Sequence, residues 1–213
     1  MDEINLKPGV LTKIENQKKR KNRVSLFIDD EFRFGIDKDI FMQQQLSVGS
    51  YLTTDVILFI LEEEEYRKAL VRAYEMLARR ARSIAEVQKK FKELGFHQLV
   101  SDKVIARLIA EKYLDDHAFA LAFSRSRLRV KPMGKMLLFK ELRMRSIDRE
   151  IAEKVIDEIY SATEESTWAK NALVKKDKNF TNLAPELARK KRIQFLKSRG
   201  FSWDTIREAL DQQ

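Results

Sequence analysis

A helical pattern that recurs about every 50 residues is the feature that most constrains how this chain can fold. When Gly95-Phe96 is placed over Ser146-Ile147, an offset of 51 residues, apolar residues coincide with apolar residues and basic with basic. The same holds when Ser146-Ile147 is placed over Gly200-Phe201, at an offset of 54. Such a period predicts three tandem repeats of three helices each, which stack into an elongated, curved array.

Signals for helix starts and stops support this reading of the first repeat. Ser83 and Glu86 have the spacing of a capping box, in which each side chain bonds the other's backbone amide at a helix start. Gly95-Phe96 is typical of a left-handed glycine that ends a helix. Ser101 or Asp102 is the predicted start of the third helix. Glycine (6) and proline (3) are scarce over the 213 residues, which also favours helices.

The N-terminal region has a different pattern. Residues Val10–Gln17, Arg23–Ile28 and Glu31–Ile36 are short β-favouring runs, and the last two alternate apolar and polar residues. Asp29-Asp30 supplies a turn between them, and Asp37 is placed to cap a short helix. The predicted fold class is therefore mainly α, with a small N-terminal antiparallel β/α element. The predicted segments are residues 1–65 for this element and 66–114, 115–160 and 161–213 for the repeats.

Positive charge is concentrated in the helical part. Residues 1–65 carry a net charge of −4, residues 66–160 carry +9 and residues 161–213 carry +4. Between Ser124 and Arg145, eight lysines or arginines face a single acid, Glu141. Concentrated charge of one sign favours an oppositely charged partner, such as nucleic acid or an acidic protein groove, although a merely solvated surface has the same composition.

Because basic residues recur on the middle helix of each repeat, we predict that they form a face that contacts a partner or DNA. Arginine's planar fork suits phosphate or carboxylate. The predicted basic face consists of Arg79, Arg82, Lys89, Lys92, Arg125, Arg127, Lys135, Lys140, Arg143, Arg145, Lys191, Lys197 and Arg199.

Other kinds of site find little support. Asp115 and Asp116 are better explained as helix caps than as metal ligands or acid–base groups. The acidic run Glu62–Glu65 is better explained as a solvated helix face, or as an electrostatic counterweight to the basic region, than as an active site. His97 and His117 stand alone, and the sequence contains no cysteine, so a zinc site is not expected. Phosphate-binding and nucleophile motifs are missing from the sequence. We therefore expect no catalytic residue, metal or cofactor.

The sequence also bears on location. It has no apolar run of about 20 residues, and its start lacks a signal-peptide core. We expect a cytoplasmic protein.

A series of motifs that covers nearly the whole chain resembles the RecX family, regulators of the RecA recombinase. The motifs are Leu11–Glu15, Glu62–Glu65, Leu77–Ser83, Tyr113–Asp116, Phe119, Phe123, Ser126-Arg127, Gly134, Lys140–Leu142 and Phe195–Phe201. Two sites depart from the family pattern. Arg145-Ser146 stands where the family often has a glycine, and Pro132-Met133 replaces its usual aromatic-glycine pair.

The resemblance implies tandem three-helix repeats and a protein without catalytic residues. It also implies that the protein, expected to be a monomer, binds the groove of the RecA filament on single-stranded DNA. There it would modulate, and mainly inhibit, RecA in homologous recombination, DNA repair and the SOS response. The alternative is a protein that binds DNA directly and largely without sequence preference, because the pattern of Phe195–Leu210 resembles a helix-turn-helix. A structural scaffold for some other protein is a third hypothesis.

Overall fold

The computed structural model describes residues 6–176, 180 and 182–211, and the chain separates into two compact units. Unit 1 comprises Met1–Ala78 and Phe91–Arg107, and unit 2 comprises Arg79–Lys90 and Leu108–Gln213. The described residues form ten helices and one small sheet, so the fold is mainly α, as predicted. In the described ranges, no helix has both the length and the apolar character needed to cross a membrane.

Unit 1 is built on a four-stranded antiparallel sheet. Its strands are β1 (Gly9–Asn16), β2 (Arg23–Ile28), β3 (Glu31–Asp37) and β4 (Tyr51–Leu52), in the order β3-β2-β1-β4. The three predicted strands are confirmed, whereas the two-residue β4 was not foreseen. Asp29 and Asp30 form the predicted turn, both with positive φ. Alternate residues of the strands, including Leu26, Ile28 and Ile36, are fully buried in the core of the unit.

Four helices accompany or follow the sheet. They are α1 (Lys38–Gln43), α2 (Thr54–Arg79), α3 (Ile84–Glu93) and α4 (Gln98–Ala110). Asp37 caps α1 as predicted, because its side chain accepts the Asp39 N–H. The prediction that Ser101 or Asp102 begins α4 is wrong, since both lie inside that helix. The Ser101 hydroxyl donates instead to the His97 carbonyl, at 3.0 Å.

Helix α2 runs without a break through Glu65 and Tyr66. The predicted boundary between the first two segments thus lies inside a helix. The division of the chain into those four exact segments stays a prediction.

Unit 2 contains the second and third helix triplets. Helices α5 (Asp116–Val130), α6 (Lys135–Arg143) and α7 (Arg149–Ala162) share one core, in which Leu128, Leu138 and Leu142 are fully buried. Helices α8 (Glu165–Val174), α9 (Pro185–Ser198) and α10 (Trp203–Asp211) share another. Trp168 packs against both cores.

With α2, α3 and α4 taken as the first triplet, the middle helices α3, α6 and α9 end in the same way. A residue two or three positions beyond the helix has positive φ, and the next N–H reaches back five residues to a helix carbonyl. The φ values are 76° at Gly95, 59° at Ser146 and 77° at Gly200, and the bonds are Phe96 to Phe91 (3.1 Å), Ile147 to Leu142 (3.2 Å) and Phe201 to Leu196 (3.3 Å). These are the three positions that the two sequence offsets superimpose, so the predicted recurrence of the unit is confirmed.

The second and third triplets approach each other main chain to main chain. The Gly134 N–H donates to the Arg199 carbonyl, at 2.9 Å. A Cβ added at Gly134 would lie 2.2 Å from the Gly200 carbonyl oxygen, and one added at Gly200 would lie 2.6 Å from the Leu137 Cβ. Only glycine permits this contact, which we call the glycine seam (Gly134 and Gly200).

Candidate functional site

The structure divides the predicted basic face into two groups. Seven of its thirteen residues are exposed and make no ion pair with a described residue: Arg79, Lys89, Lys92, Lys135, Lys140, Lys191 and Lys197. The other six are arginines that contact neighbouring groups: Arg82, Arg125, Arg127, Arg143, Arg145 and Arg199. Lys92 belongs to unit 1, and the other twelve belong to unit 2.

Arg127 makes the strongest internal contact of the group. Its Nε donates to Glu141 Oε2 at 2.7 Å, and a terminal nitrogen donates to Oε1 at 3.0 Å. The Glu141 side chain is 18% exposed and that of Arg127 is 37% exposed, so the pair is partly shielded from water. The hydrogen bonds to Glu141 raise the pKa of Arg127 above its ordinary value. A two-pronged pair of this kind joins α5 to α6 and leaves Arg127 less available to a partner.

Arg199 is held close to Arg127 without a carboxylate of its own. Its guanidinium carbon lies 5.0 Å from the centre of the Phe195 ring. One terminal nitrogen is buried and has no hydrogen-bond partner among the described groups. Burial lowers the pKa of Arg199, and the positive charge of Arg127 lowers it further. Two like charges therefore meet beside the glycine seam.

Arg145 belongs to a junction between α3 and the second triplet. Its guanidinium stacks on Phe123, 4.2 Å from the ring centre, and lies 3.6 Å from Glu86. The Ser83 hydroxyl accepts the Glu86 N–H at 3.2 Å, which is the Ser83 half of the predicted capping box. Glu86 is also paired with Arg80, so its carboxylate serves the two arginines. This arginine stabilises the fold.

Asp115 and Asp116 are helix caps, as predicted. Asp115 accepts the Ala118 N–H at 2.9 Å and begins its own helix, α5. Asp116 accepts the N–H of Ile84 at 2.8 Å, and Ile84 is the first residue of α3. Burial raises the pKa of Asp116, while the hydrogen bond from Ile84 opposes that rise. In the described ranges, no three His, Cys, Asp or Glu side chains are grouped so as to hold a metal ion.

Two further arginines make lighter contacts. Arg143 donates to the Ile147 carbonyl at 2.6 Å, beyond the end of α6. Arg125 is 63% exposed and lies 3.1 Å from Glu158. An exposed pair of this kind contributes little and exchanges readily for another partner.

Four of these exposed lysines without a described ion pair, which we call the free lysines (Lys135, Lys140, Lys191 and Lys197), lie on helices that meet at the glycine seam. Lys135 and Lys140 are on α6, which begins directly after Gly134, and Lys191 and Lys197 are on α9, which ends directly before Arg199. The hydrogen bond between Gly134 and Arg199 brings the start of α6 to the end of α9. Ammonium groups there offer mobile point charges to a large anionic surface.

The acidic run is not a solvated face throughout, which corrects the prediction. Glu62 is exposed, but Glu64 is only 3% exposed. The Glu64 carboxylate pairs with Arg23, accepts the Asp37 N–H at 2.8 Å and lies 3.1 Å from Lys68. It therefore ties α2 to the sheet of unit 1. The alternating strand pattern around Arg23 gave no sign of this partner.

Sequence reasoning also missed Arg129, Lys175 and Trp168, which line one pocket in unit 2. Arg129 was counted in the basic run but not assigned to the face. No periodic signal separates a tryptophan that lines a pocket from one that only packs.

Comparisons with known proteins give a consistent picture. Four family models match: the regulatory protein RecX N-terminal domain at residues 9–53, and the first, second and third three-helix domains of RecX at residues 69–108, 115–156 and 164–210. Together they cover more than half of the chain.

Individual relatives carry the same name. The regulatory protein RecX of Bacillus subtilis is 33% identical over 95% of this chain and 76% of its own length. That of Clostridium acetobutylicum is 28% identical over 97% of each chain. A crystal structure of regulatory protein RecX superposes with a TM-score of 0.74 at 23% identity, over 95% of this chain and 98% of that one. RecX from Lactobacillus salivarius superposes with a TM-score of 0.65 at 21% identity, over 70% of this chain and 97% of its own. The two structures support the fold.

Proposed function

Because this chain belongs to the RecX family of regulatory proteins, we propose that it regulates the RecA recombinase. In this proposal the free lysines bind the groove of the RecA filament on single-stranded DNA and mainly inhibit its activities. The regulated processes would be homologous recombination, DNA repair and the SOS response, in the cytoplasm. No residue is assigned a catalytic role, and no cofactor or metal takes part.

The observation that carries this proposal is the set of exposed lysines without carboxylate partners on α6 and α9. Lys140 and Lys197 lie on the middle helices of two triplets, and no described carboxylate neutralises either of them. An unpaired ammonium group costs little to bring to an anionic surface, because no internal ion pair has to be broken first. Recurrence on successive triplets suits a partner that is itself a repeating polymer.

Several weak contacts of this kind add up when they are held on one scaffold. Once one lysine is bound, the next binds at a high effective concentration. Complementary charge also accelerates encounter and orients the incoming surface. Inhibition would then follow from occupation of the groove, without any chemical step.

The test uses charge reversal at Lys140→Glu and Lys197→Glu together. Both side chains are exposed and free of described ion pairs, so helix content should stay unchanged. Each lies in the last turn of its helix, so a glutamate there should lower thermal stability slightly through the helix dipole. We expect the concentration that halves RecA strand exchange, or its DNA-dependent ATP hydrolysis, to rise by about tenfold or more, since each reversal turns an attraction into a repulsion.

A matched control is Lys154→Glu, an exposed lysine on α7 without a described ion pair. It should inhibit like the unmodified protein. If the double variant inhibits as well as this control, the free lysines are not the contact surface.

Direct DNA binding remains the competing hypothesis and predicts a different salt response. A protein that only binds DNA should act without RecA, and its log affinity should fall steeply with log salt. A filament-binding protein should need RecA and bind naked DNA weakly. Measuring binding to single-stranded DNA with and without RecA, at several salt concentrations, separates the two.

A further inference from the structure

A pocket in unit 2 combines apolar walls with cationic groups. Helices α5, α7 and α8 and the segment after α5 contribute to it. Its apolar side chains are Leu128, Pro132, Ile159, Trp168 and Val174. Its polar side chains are Arg125, Arg129, Asn171 and Lys175, so three cations and, among the described residues, no carboxylate line it.

The cations of the pocket are available to a ligand to different degrees. Arg125 already has Glu158 at 3.1 Å. Arg129 is exposed and makes no ion pair with a described residue. Lys175 donates to the carbonyls of Arg129 and Val130, at 2.7 and 3.1 Å, which places its ammonium beside the end of α5. Arg129 and Lys175 thus hold positive charge at one side of the pocket without a counter-ion among the described residues.

Trp168 brings a flat aromatic surface to the pocket. Its indole nitrogen is buried inside the protein, so a ligand in the pocket contacts the ring and not the N–H. The ring packs against the cores of both triplets, which fixes its position. Val174, 72% exposed, extends the apolar surface outward.

We propose that this pocket binds one nucleotide of single-stranded DNA. The base lies against Trp168 and the apolar walls, and Arg129 and Lys175 hold the adjacent phosphates. The proposal rests on the proposed function only in that the partner polymer contains single-stranded DNA.

The chemistry of the pocket favours a nucleotide over an acidic peptide. A glutamate or aspartate side chain would satisfy Arg129 and Lys175 but would leave the apolar walls uncovered. A nucleobase covers an apolar surface, carries acceptors on its edge and always has a phosphate next to it. Stacking on a protein aromatic ring contributes about 1–3 kcal/mol per base and tolerates any sequence.

The test uses the full chain carrying Trp203→Phe, which leaves Trp168 as its only tryptophan. Trp203 is 58% exposed, so the exchange should not disturb packing. We expect a fluorescein-labelled oligothymidylate to quench Trp168 emission as it binds. An oligonucleotide of equal length with abasic sites should bind about 5- to 150-fold more weakly, the equivalent of the stacking energy of one base.

Arg129→Gln with Lys175→Gln tests the phosphate contacts. Loss of two phosphate contacts should weaken binding by about tenfold and reduce the slope of log affinity against log salt by about 1.4. Lys154→Gln, which lies outside the pocket, is the control. It should change the affinity and the salt slope no more than the loss of any other surface lysine outside the pocket.

Three outcomes would overturn the proposal. The oligonucleotide could bind, by anisotropy of its label, with Trp168 emission unchanged. The Arg129 and Lys175 variant could bind as tightly as the Lys154 control. Polyglutamate could quench Trp168 as strongly as the oligonucleotide, which would indicate a peptide site. None of these measurements contains RecA, so regulation lost in the Lys140 and Lys197 variant would still support the proposed function.

Discussion

Glu64 offers the sharpest test of how unit 1 is held together. Its side chain is 4% exposed and that of its partner Arg23 is 17% exposed. Glu64→Gln keeps the volume and one acceptor for the Asp37 N–H, but it removes the charge that faces Arg23 and Lys68. Breaking a buried ion pair costs about 3–5 kcal/mol. Because Lys68 is half exposed and water can reach Arg23, we expect a loss of about 2–4 kcal/mol here.

The assay is urea unfolding followed by circular dichroism, with a thermal melt beside it. For a chain of this size, each kcal/mol corresponds to about 2–4 °C, so the melting temperature of the protein should fall by about 4–16 °C. Glu62→Gln, on the same acidic run but exposed, should change stability by no more than about 0.5 kcal/mol. Equal stability of the Glu64 and Glu62 variants would refute the reasoning that this carboxylate ties α2 to the sheet.

Two further predictions concern unit 2. Ser146→Gly should stabilise the protein by about 0.5–1 kcal/mol in urea unfolding, because Ser146 has a φ of 59° that glycine adopts without strain; a loss of stability would contradict this. Tyr160 donates to the Met133 carbonyl at 2.8 Å, and burial raises its pKa. Its contribution should therefore be complete below the unfolded pKa of about 10 and decline as the pH rises above it. Tyr160→Phe should cost about 1–2 kcal/mol at pH 7 and flatten the decline in urea midpoints between pH 9 and 11. If the urea midpoints of Tyr160→Phe fall with pH as steeply as those of the unmodified protein, the fall comes from other ionisable groups.

The helix ends were predictable because their causes are local. A residue with positive φ followed by an apolar residue produces the same termination after α3, α6 and α9, and the sequence shows it even where serine replaces glycine at Ser146. Asp37 and Asp115 cap helices through bonds to residues two and three positions away. Such contacts depend on a few neighbouring residues, so a single sequence carries their signal.

The fate of the arginines was not predictable, because it depends on partners far along the chain. Arg127 finds Glu141 fourteen residues away on another helix, and Arg145 finds Glu86 from a different triplet. Lysines and arginines have the same charge in a sequence pattern, yet the structure uses these arginines to join helices and leaves the lysines of the predicted basic face without an ion pair to a described residue. Glu64 escaped prediction for the same reason, since its partner Arg23 is 41 residues distant.

The glycine seam has a practical consequence for anyone who wishes to alter this protein. Where Gly134 meets Gly200, spacing between the two triplets is set by main-chain atoms, so it does not depend on which side chains surround it. Libraries that randomise the neighbouring lysines should therefore keep their geometry, provided that these two codons are held fixed. A single methyl group at either position would shift every charge carried on α6 and α9 at once.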